Sequence, residues 1–427
     1  MRGSAWTIGG HAASQILRFA NNITLTYLIA PDLLGLIGIV HVLLAGLHQL
    51  SDFGVGPAII QNSGGDEQSF RDTAWTLHIV RGAILWALTF PLGPLLAWFY
   101  ANEPGAEQLT WLVPVVGLSA LLTGLHSMAP YALNRQLRLR PLVMLDVGTQ
   151  LLGCGVGIVW AVLDPGLAAL IAAVLVAQVV YTIGSHCLGI ECHLRWDPSA
   201  AAVLVRFGRW VWMSTTLTWI TSAIDRLLMP TMVSFDGLAI YQVALMVAAA
   251  GPEVAHLLGS RVLFPALSAL LRRGDPAFHD KLLRARIALL LPTVSGLLLL
   301  SLCGEWLIHL IYPAAFDDAG WMLRLLAAAA IPQMLIASSW YVFLALGFPA
   351  VMMGLQAAKL LLKGSAMLLG NHLGGPYGVI VGLVVAEALH YPFVAIALHK
   401  CGILQLRLDL PVVIVSGAVL GLGFALW

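Results

Sequence analysis

Residues 210–233, WVWMSTTLTWITSAIDRLLMPTMV, are apolar enough to cross a bilayer, yet Asp225 and Arg226 stand side by side within them. As a helix, about 20 residues suffice for the crossing. A charge at mid-membrane costs at least a few kcal/mol, so it is turned toward the bundle or toward water. Ser214, Thr218, Thr221, Ser222 and Asp225 recur at three- and four-residue spacing and share one helical face, with Arg226 at its edge. Neighbouring side chains on a helix diverge by about 100°, too far for the two charges to satisfy one another. At least one of them needs a second helix or water.

The rest of the chain has the same character. Of its 427 residues 59% are hydrophobic and 10% charged, against roughly a quarter charged in a soluble domain; the mean hydropathy is +0.89. Thirteen apolar runs follow one another: 6–29, 34–59, 75–100, 109–133, 141–163, 167–190, 210–233, 238–264, 287–312, 321–346, 350–370, 377–398 and 410–427. Their length, and the lack of two-residue alternation, predict an all-α polytopic membrane protein and exclude a barrel. The first run is long and is interrupted by Arg18, Asn21 and Asn22, so it is expected to remain as a span rather than a cleaved leader.

The N-terminus and the loops after even-numbered spans hold sixteen Lys and Arg residues, among them Arg138, Arg140, Arg195, Arg284 and Arg286. The opposite loops, such as ANEPGAEQ at 101–108 and PAAFDDAG at 313–320, hold none. This asymmetry predicts a cytoplasmic N-terminus.

A shift of 204 residues places Trp6 on Trp210, Asn21 and Asn22 on Asp225 and Arg226, and Asp32 on Asp236. The halves read as a parallel repeat about an axis along the membrane normal. The expected domains are a six-helix lobe at 1–190, a basic cytoplasmic linker at 191–209, a second six-helix lobe at 210–400 and an extra terminal span at 401–427. Span 1 repeats the polar device of span 7, with His11, Ser14, Gln15, Arg18, Asn21 and Asn22 in one stripe.

Further ionisable residues fall within spans of both halves: Asp52, His78, Arg81, Asp146, Glu253, His256, Arg261, Lys359, Lys363, Glu387 and His390. Singly, each is equally well an interhelical contact or a snorkelling side chain; together they point to a central cavity between two lobes. Lys359 and Lys363 share a face of span 11 and repel, which calls for an anion or water beside them. Glu253 with His256 and Glu387 with His390 form two Glu-x-x-His units, as in di-iron bundles. Such a centre needs two further Glu residues, and only Glu305 is a candidate, so proton coupling is favoured over metal and a structural role over both. HCLGIECH at 186–193 offers two Cys and two His at a spacing that matches no zinc pattern. Five scattered cysteines indicate no disulfide framework. No metal site or cofactor is expected.

Several stretches in order resemble the polysaccharide transporter family, the flippases of the multidrug/oligosaccharidyl-lipid/polysaccharide exporter superfamily. They are SDFGVGPAIIQ at 51–61, LNRQLRLRPLVMLD at 133–146, RFGRWVWMSTTLTWITSAIDRLLMP at 206–230 and SRVLFPALSAL at 260–270. The resemblance covers about residues 1–400 and implies two six-helix lobes around a cavity that opens alternately to each side. It implies a flippase rather than an enzyme, moving a lipid diphosphate-linked oligosaccharide, such as an O-antigen repeat unit of lipopolysaccharide, to the outer leaflet of a bacterial inner membrane. Coupling to H+ or Na+ is implied as well. Its partners would be that substrate, the membrane, and the polymerase and glycosyltransferases of the same pathway, with no nucleic acid.

On this reading Arg18, Asn21, Asn22, Arg81, Arg261, Lys359 and Lys363 receive the substrate, the cations replacing the hydration of its diphosphate. Asp52, Asp225, Arg226, Glu253 and Glu387 serve gating or coupling, and the Asp225–Arg226 pair is expected to hold the lobes together in the inward-facing state. The family commonly has twelve or fourteen helices, so the thirteenth span departs from it. Two rival classes are an integral-membrane glycosyltransferase or polymer ligase, which needs a larger outer loop than the one bearing Asp317 and Asp318, and a drug/cation antiporter, which a basic interior disfavours.

Overall fold

The computed structural model of the protein describes residues 2–51, 55, 59, 67–136, 138–259, 263, 267, 270, 277–346 and 348–425. Among these, all regular structure is helical, as hydrocarbon demands of a backbone that must satisfy its own polar groups. Eight helices are long and apolar enough to cross a membrane, and nine if one bent pair counts as a span. The chain divides into two compact units, Met1–Trp219 and Ile220–Trp427.

Unit 1 contains α1 (Arg2–Leu28), α2 (Pro31–Leu50), α3 (Gln68–Phe99), α4 (Leu109–Gly124), α5 (Ala129–Arg135), α6 (Leu139–Leu163), α7 (Leu167–His186) and most of α8 (Pro198–Leu228). Its main pairings are α3 with α4, α6 with α7, and α1 with α6. Small residues set these seams. A Cβ at Gly82 or Gly124 would press on the backbone of the facing helix, and one at Gly153 or Gly157 would press on Ala177 or Ala173. Residues 193–197 run along the first turns of α3, whose side chains take up the strap's backbone. His193 N donates to Asp72 Oδ1 (2.9 Å), Arg195 N to Thr76 Oγ1 (3.1 Å) and Asp197 N to Thr73 Oγ1 (3.0 Å). Asp197 in turn accepts from Ser199 N and Oγ, which holds its carboxyl below the usual range and starts α8.

Unit 2 holds the end of α8, then α9 (Phe235–Ala248), α10 (Ala250–Leu258), α11 (Phe278–Ile311), α12 (Ala319–Leu346), α13 (Pro349–Lys400) and α14 (Leu406–Ala425). Ser234 opens α9 by accepting from Gly237 N (3.2 Å). The central element is α12, which packs on α9, α11, α13 and α14; its run Ala327–Ala330 is buried throughout, letting neighbours approach closely. Fifty-two residues of continuous helix would be about 78 Å long, more than twice a bilayer core, and α13 instead reverses at Gly374 and Gly375. Gly375 takes φ 57°, a conformation that side chains resist. The two arms then lie antiparallel, with Gly370 on Gly378 and Ala366 on Gly382 at backbone contact. Gly378 and Gly382 stand 205 residues after Ala173 and Ala177, while Ala366 and Gly370 stand 213 after Gly153 and Gly157. The halves repeat a small-residue seam as well as a polar stripe.

Several expected spans are interrupted. The run 109–133 breaks between α4 and α5, where Pro130 sits at the start of α5. The run 238–264 bends by 43° between α9 and α10. The run 210–233 gives up α-helix at Leu228, because Pro230 carries the chain through a 3-10 turn. Asp225 and Arg226 therefore stand in the last turn of α8, nearer its end than the apolar run suggested.

Arg286 corrects the charge tally. It was assigned to a loop, but α11 begins at Phe278 and carries Arg286 into the core, where it is 1% exposed. Its guanidinium meets Asp409 of α14 at 2.9 Å and donates to Ser338 Oγ (3.1 Å), Ser339 Oγ (3.3 Å) and Gln405 Oε1 (3.1 Å). This knot fastens the terminal helix into unit 2.

A candidate charge-lined cavity in the C-terminal unit

The polar face of span 7 reaches its partners inside unit 2. Asp225 is 2% exposed; Tyr241 of α9 donates to its Oδ2 at 2.5 Å, and the Lys363 ammonium on the first arm of α13 lies 3.2 Å from its Oδ1. Lys363 also donates to the carbonyl of Thr221, one turn back along α8, at 3.4 Å. Four residues earlier on the same arm, Lys359 lies 2.9 Å from Glu387 Oε2 on the returning arm. The hairpin register that the glycines set is what brings these two into reach. His390, one turn beyond Glu387, donates from Nε2 to Leu355 O (3.1 Å) and braces the arms again.

These groups border a cavity of about 140 Å³. Asp225, Tyr241, Gln333, Lys363 and Glu387 form its polar part, and Leu245, Leu326 and Leu383 part of its apolar wall. The bend between α9 and α10 supplies Ala248, Ala249 and Pro252 to the same wall. A discontinuous helix beside a polar cavity is the arrangement by which membrane transporters present backbone groups to what they bind. Two carboxylates and two ammonium groups in near-contact pairs make the cluster neutral as a whole, the condition for keeping such charges out of water.

The remaining candidates divide as follows. Arg226 is half-buried and donates to Ser222 O on its own helix (3.1 Å), a favourable place for a cation near a helix C-terminus. The expectation that Asp225 and Arg226 brace one lobe against the other is not what these contacts do, since Lys363, Tyr241, Thr221 and Ser222 all belong to unit 2. In unit 1, Arg81 donates to Ser51 Oγ (2.8 Å) and His48 O (2.5 Å), capping the end of α2. Arg18 is exposed, and Asn21 and Asn22 are half-buried on the same helix. Glu253 is exposed on α10. Asp52 and Arg261 lie outside the described residues.

Two participants went unnoticed in the sequence. Tyr241 and Gln333 lie in apolar stretches where a phenol and an amide read as ordinary helix content; the only hint was that Asp225 required a partner from elsewhere. Gln150 of α6 donates to Ser14 O of α1 at 2.9 Å, and it stands 213 residues before Lys363. Unit 1 thus makes with a neutral amide the first-helix contact that unit 2 makes with a charged pair.

A family profile described as polysaccharide biosynthesis protein matches residues 24–320. A teichuronic acid biosynthesis protein, TuaB, of Bacillus subtilis (strain 168) is 24% identical over 224 residues, which are 50% of this chain and 44% of that relative. The matched segment therefore spans less than half the length of the relative. Among solved structures, the lipid II flippase MurJ in an inward closed conformation has the same fold, with a TM-score of 0.76 at 12% identity over 98% of this chain and 91% of its own. An inward-facing multidrug resistance MATE family transporter of the MOP superfamily follows with 0.69 at 16% identity, over 91% and 95%. The fold is that of membrane flippases and transporters.

Proposed function

Because the chain belongs to the polysaccharide biosynthesis protein family, we propose that it is a flippase for a lipid diphosphate-linked oligosaccharide. It carries the anionic head from the cytoplasmic to the outer leaflet of a bacterial inner membrane by alternating access, drawing on an ion gradient. The observation that carries this reading is the family match on a membrane fold whose charged groups lie inside the spans, where a head group in transit needs them. Moving such a head requires no bond to be made or broken. It requires that the hydration lost on entering the membrane be replaced by fixed cations and dipoles.

Among the cations, Arg18 is assigned the first contact, with Asn21 and Asn22 one turn along, because it is exposed on a polar stripe. Lys359 is assigned a second, being the more accessible member of its ion pair. Lys363 and Arg81, committed to partners within their own units, support these rather than grip the phosphates. A drug antiporter has only the likeness of fold in its favour.

The test is appearance of a lipid diphosphate-linked oligosaccharide in the outer leaflet of vesicles containing the pure protein. Arg18→Gln and Lys359→Gln are each expected to slow it about tenfold or more at normal abundance, equivalent to about 1.4 kcal/mol. Arg18→Lys should retain more, since charge survives although the bidentate grip does not. A wild-type protein that moves no such lipid would overturn the assignment. Orientation is tested separately: cysteines at positions 138 and 284 should label only from the cytoplasm, and cysteines at 104 and 317 only from outside. The reverse pattern would refute the charge-based topology.

A further inference from the structure

We infer that the cavity of unit 2 is a cation site whose resident cation is the chain's own Lys363 ammonium, so that the protein works without a bound sodium or other free metal cation there. The inference deepens the coupling part of the proposed function and rests on that reading for its consequence in transport. The site itself stands on geometry.

The oxygen groups around the cavity are of the kind that a hard cation selects. Asp225 and Glu387 contribute carboxylates, Tyr241 a phenol oxygen and Gln333 an amide oxygen. Pro252 has no N–H to return to the carbonyl four residues before it, which leaves the carbonyl of Ala248 released at a bend that lines the same space. At about 30 Å³ per water, the volume of about 140 Å³ admits four or five waters, ample for a small ion and part of its shell.

Charge decides what occupies this site. The two carboxylates are already matched by Lys363 at 3.2 Å and Lys359 at 2.9 Å, and Arg226 follows Asp225 directly. A free cation entering beside them would add positive charge to a neutral cluster shielded from water, and would have to expel an ammonium that cannot leave its stem. Lys363 meanwhile behaves as a bound ion would. Its Nζ lies against a carboxylate oxygen and a backbone carbonyl of successive turns of α8, while the rest of its side chain, from the first arm of α13, fixes where the charge can go. Removing that ammonium leaves a buried carboxylate, its tyrosine donor and the released carbonyl around a space that a metal cation of single charge would fit.

The experiment uses the full chain purified in detergent, with unfolding midpoints measured in sodium chloride and in choline chloride at equal ionic strength. The wild-type midpoint is expected to be the same in both. Lys363→Ala is expected to unfold at lower temperature in choline and to recover several degrees as sodium rises, by linkage to ion binding; Lys363→Ala combined with Asp225→Asn should lose that response. A sodium-specific rise in the wild-type midpoint overturns the inference, and so does a folded Lys363→Ala that answers to neither sodium, lithium nor potassium. Should Lys363→Ala fail to accumulate, the wild-type comparison stands alone: no sodium response supports a resident lysine, and a specific one refutes it. None of these readings requires transport, so a wrong substrate assignment would leave them intact, while a correct one adds that flipping persists when choline replaces sodium.

Discussion

Asp409→Ala is expected to destabilise the C-terminal unit by about 3–5 kcal/mol, the cost of leaving a buried charge without its partner. Arg286 and Asp409 are each 1% exposed, so water cannot take over from the missing carboxylate. Ser338, Ser339 and Gln405 remain as acceptors for the guanidinium, but none of them carries a compensating charge. The measurement is the unfolding midpoint in detergent, expected to fall on the order of ten degrees, together with the folded amount recovered from membranes. Asp409→Asn should fall less, because it keeps a hydrogen-bond acceptor. Arg286→Met with Asp409→Leu should regain most of the loss, since a well-packed apolar pair can replace a buried ion pair. A single Asp409→Ala variant with an unchanged midpoint would show that the knot contributes nothing. The terminal helix that departs from the expected twelve or fourteen is, on this account, a structural member of unit 2.

The second large effect is expected at Asp225. In Asp225→Ala, Lys363 loses its counterion and the Tyr241 hydroxyl its acceptor at 2.5 Å, while Glu387 remains held by Lys359. Transport should fall at least tenfold, corresponding to about 1.4 kcal/mol or more, and the unfolding midpoint should fall with it. Asp225→Asn separates the causes: it can still accept from Tyr241 but cannot neutralise the ammonium. If packing matters most, Asn resembles wild type; if charge matters most, Asn resembles Ala. Combining Asp225→Ala with Lys363→Met should restore stability without restoring transport. An Asp225→Ala protein at normal abundance and full activity would remove the cluster from the mechanism.

How much of this could be seen in the sequence follows from what is local and what is not. Apolar runs and positive loops are local, and they yielded the helices and the all-α membrane fold directly. A shared helical face is local too, which is why Lys359 and Lys363 could be paired with each other, and the face of Asp225 drawn, before any contact was known. Partners are not local: Asp225 and Lys363 are 138 residues apart, and a face says only that something lies opposite. Arg286 shows the same limit from the other side, since a basic residue just before an apolar run reads as a loop until the helix is seen to begin at Phe278. Helix breaks at Pro130, Pro230 and Pro252 were written in the chain, yet proline also sits inside continuous helices here, at Pro91, Pro94 and Pro292. Its local chemistry permits a break, and the packing around it decides whether one occurs.

The glycine seam of the α13 hairpin has a mechanical consequence. Two helices whose backbones touch at Gly370 and Gly378, and again at Ala366 and Gly382, leave no side-chain layer in which one could slide along the other. Sliding by even part of a turn would drive a carbonyl into the facing backbone, so the arms move as a single stiff lever. A tug on Lys359 from one arm is therefore delivered whole to Glu387 and His390 on the other. Any bending that transport demands of unit 2 must be absorbed at softer joints, of which the turn at Ala249 is the one already built.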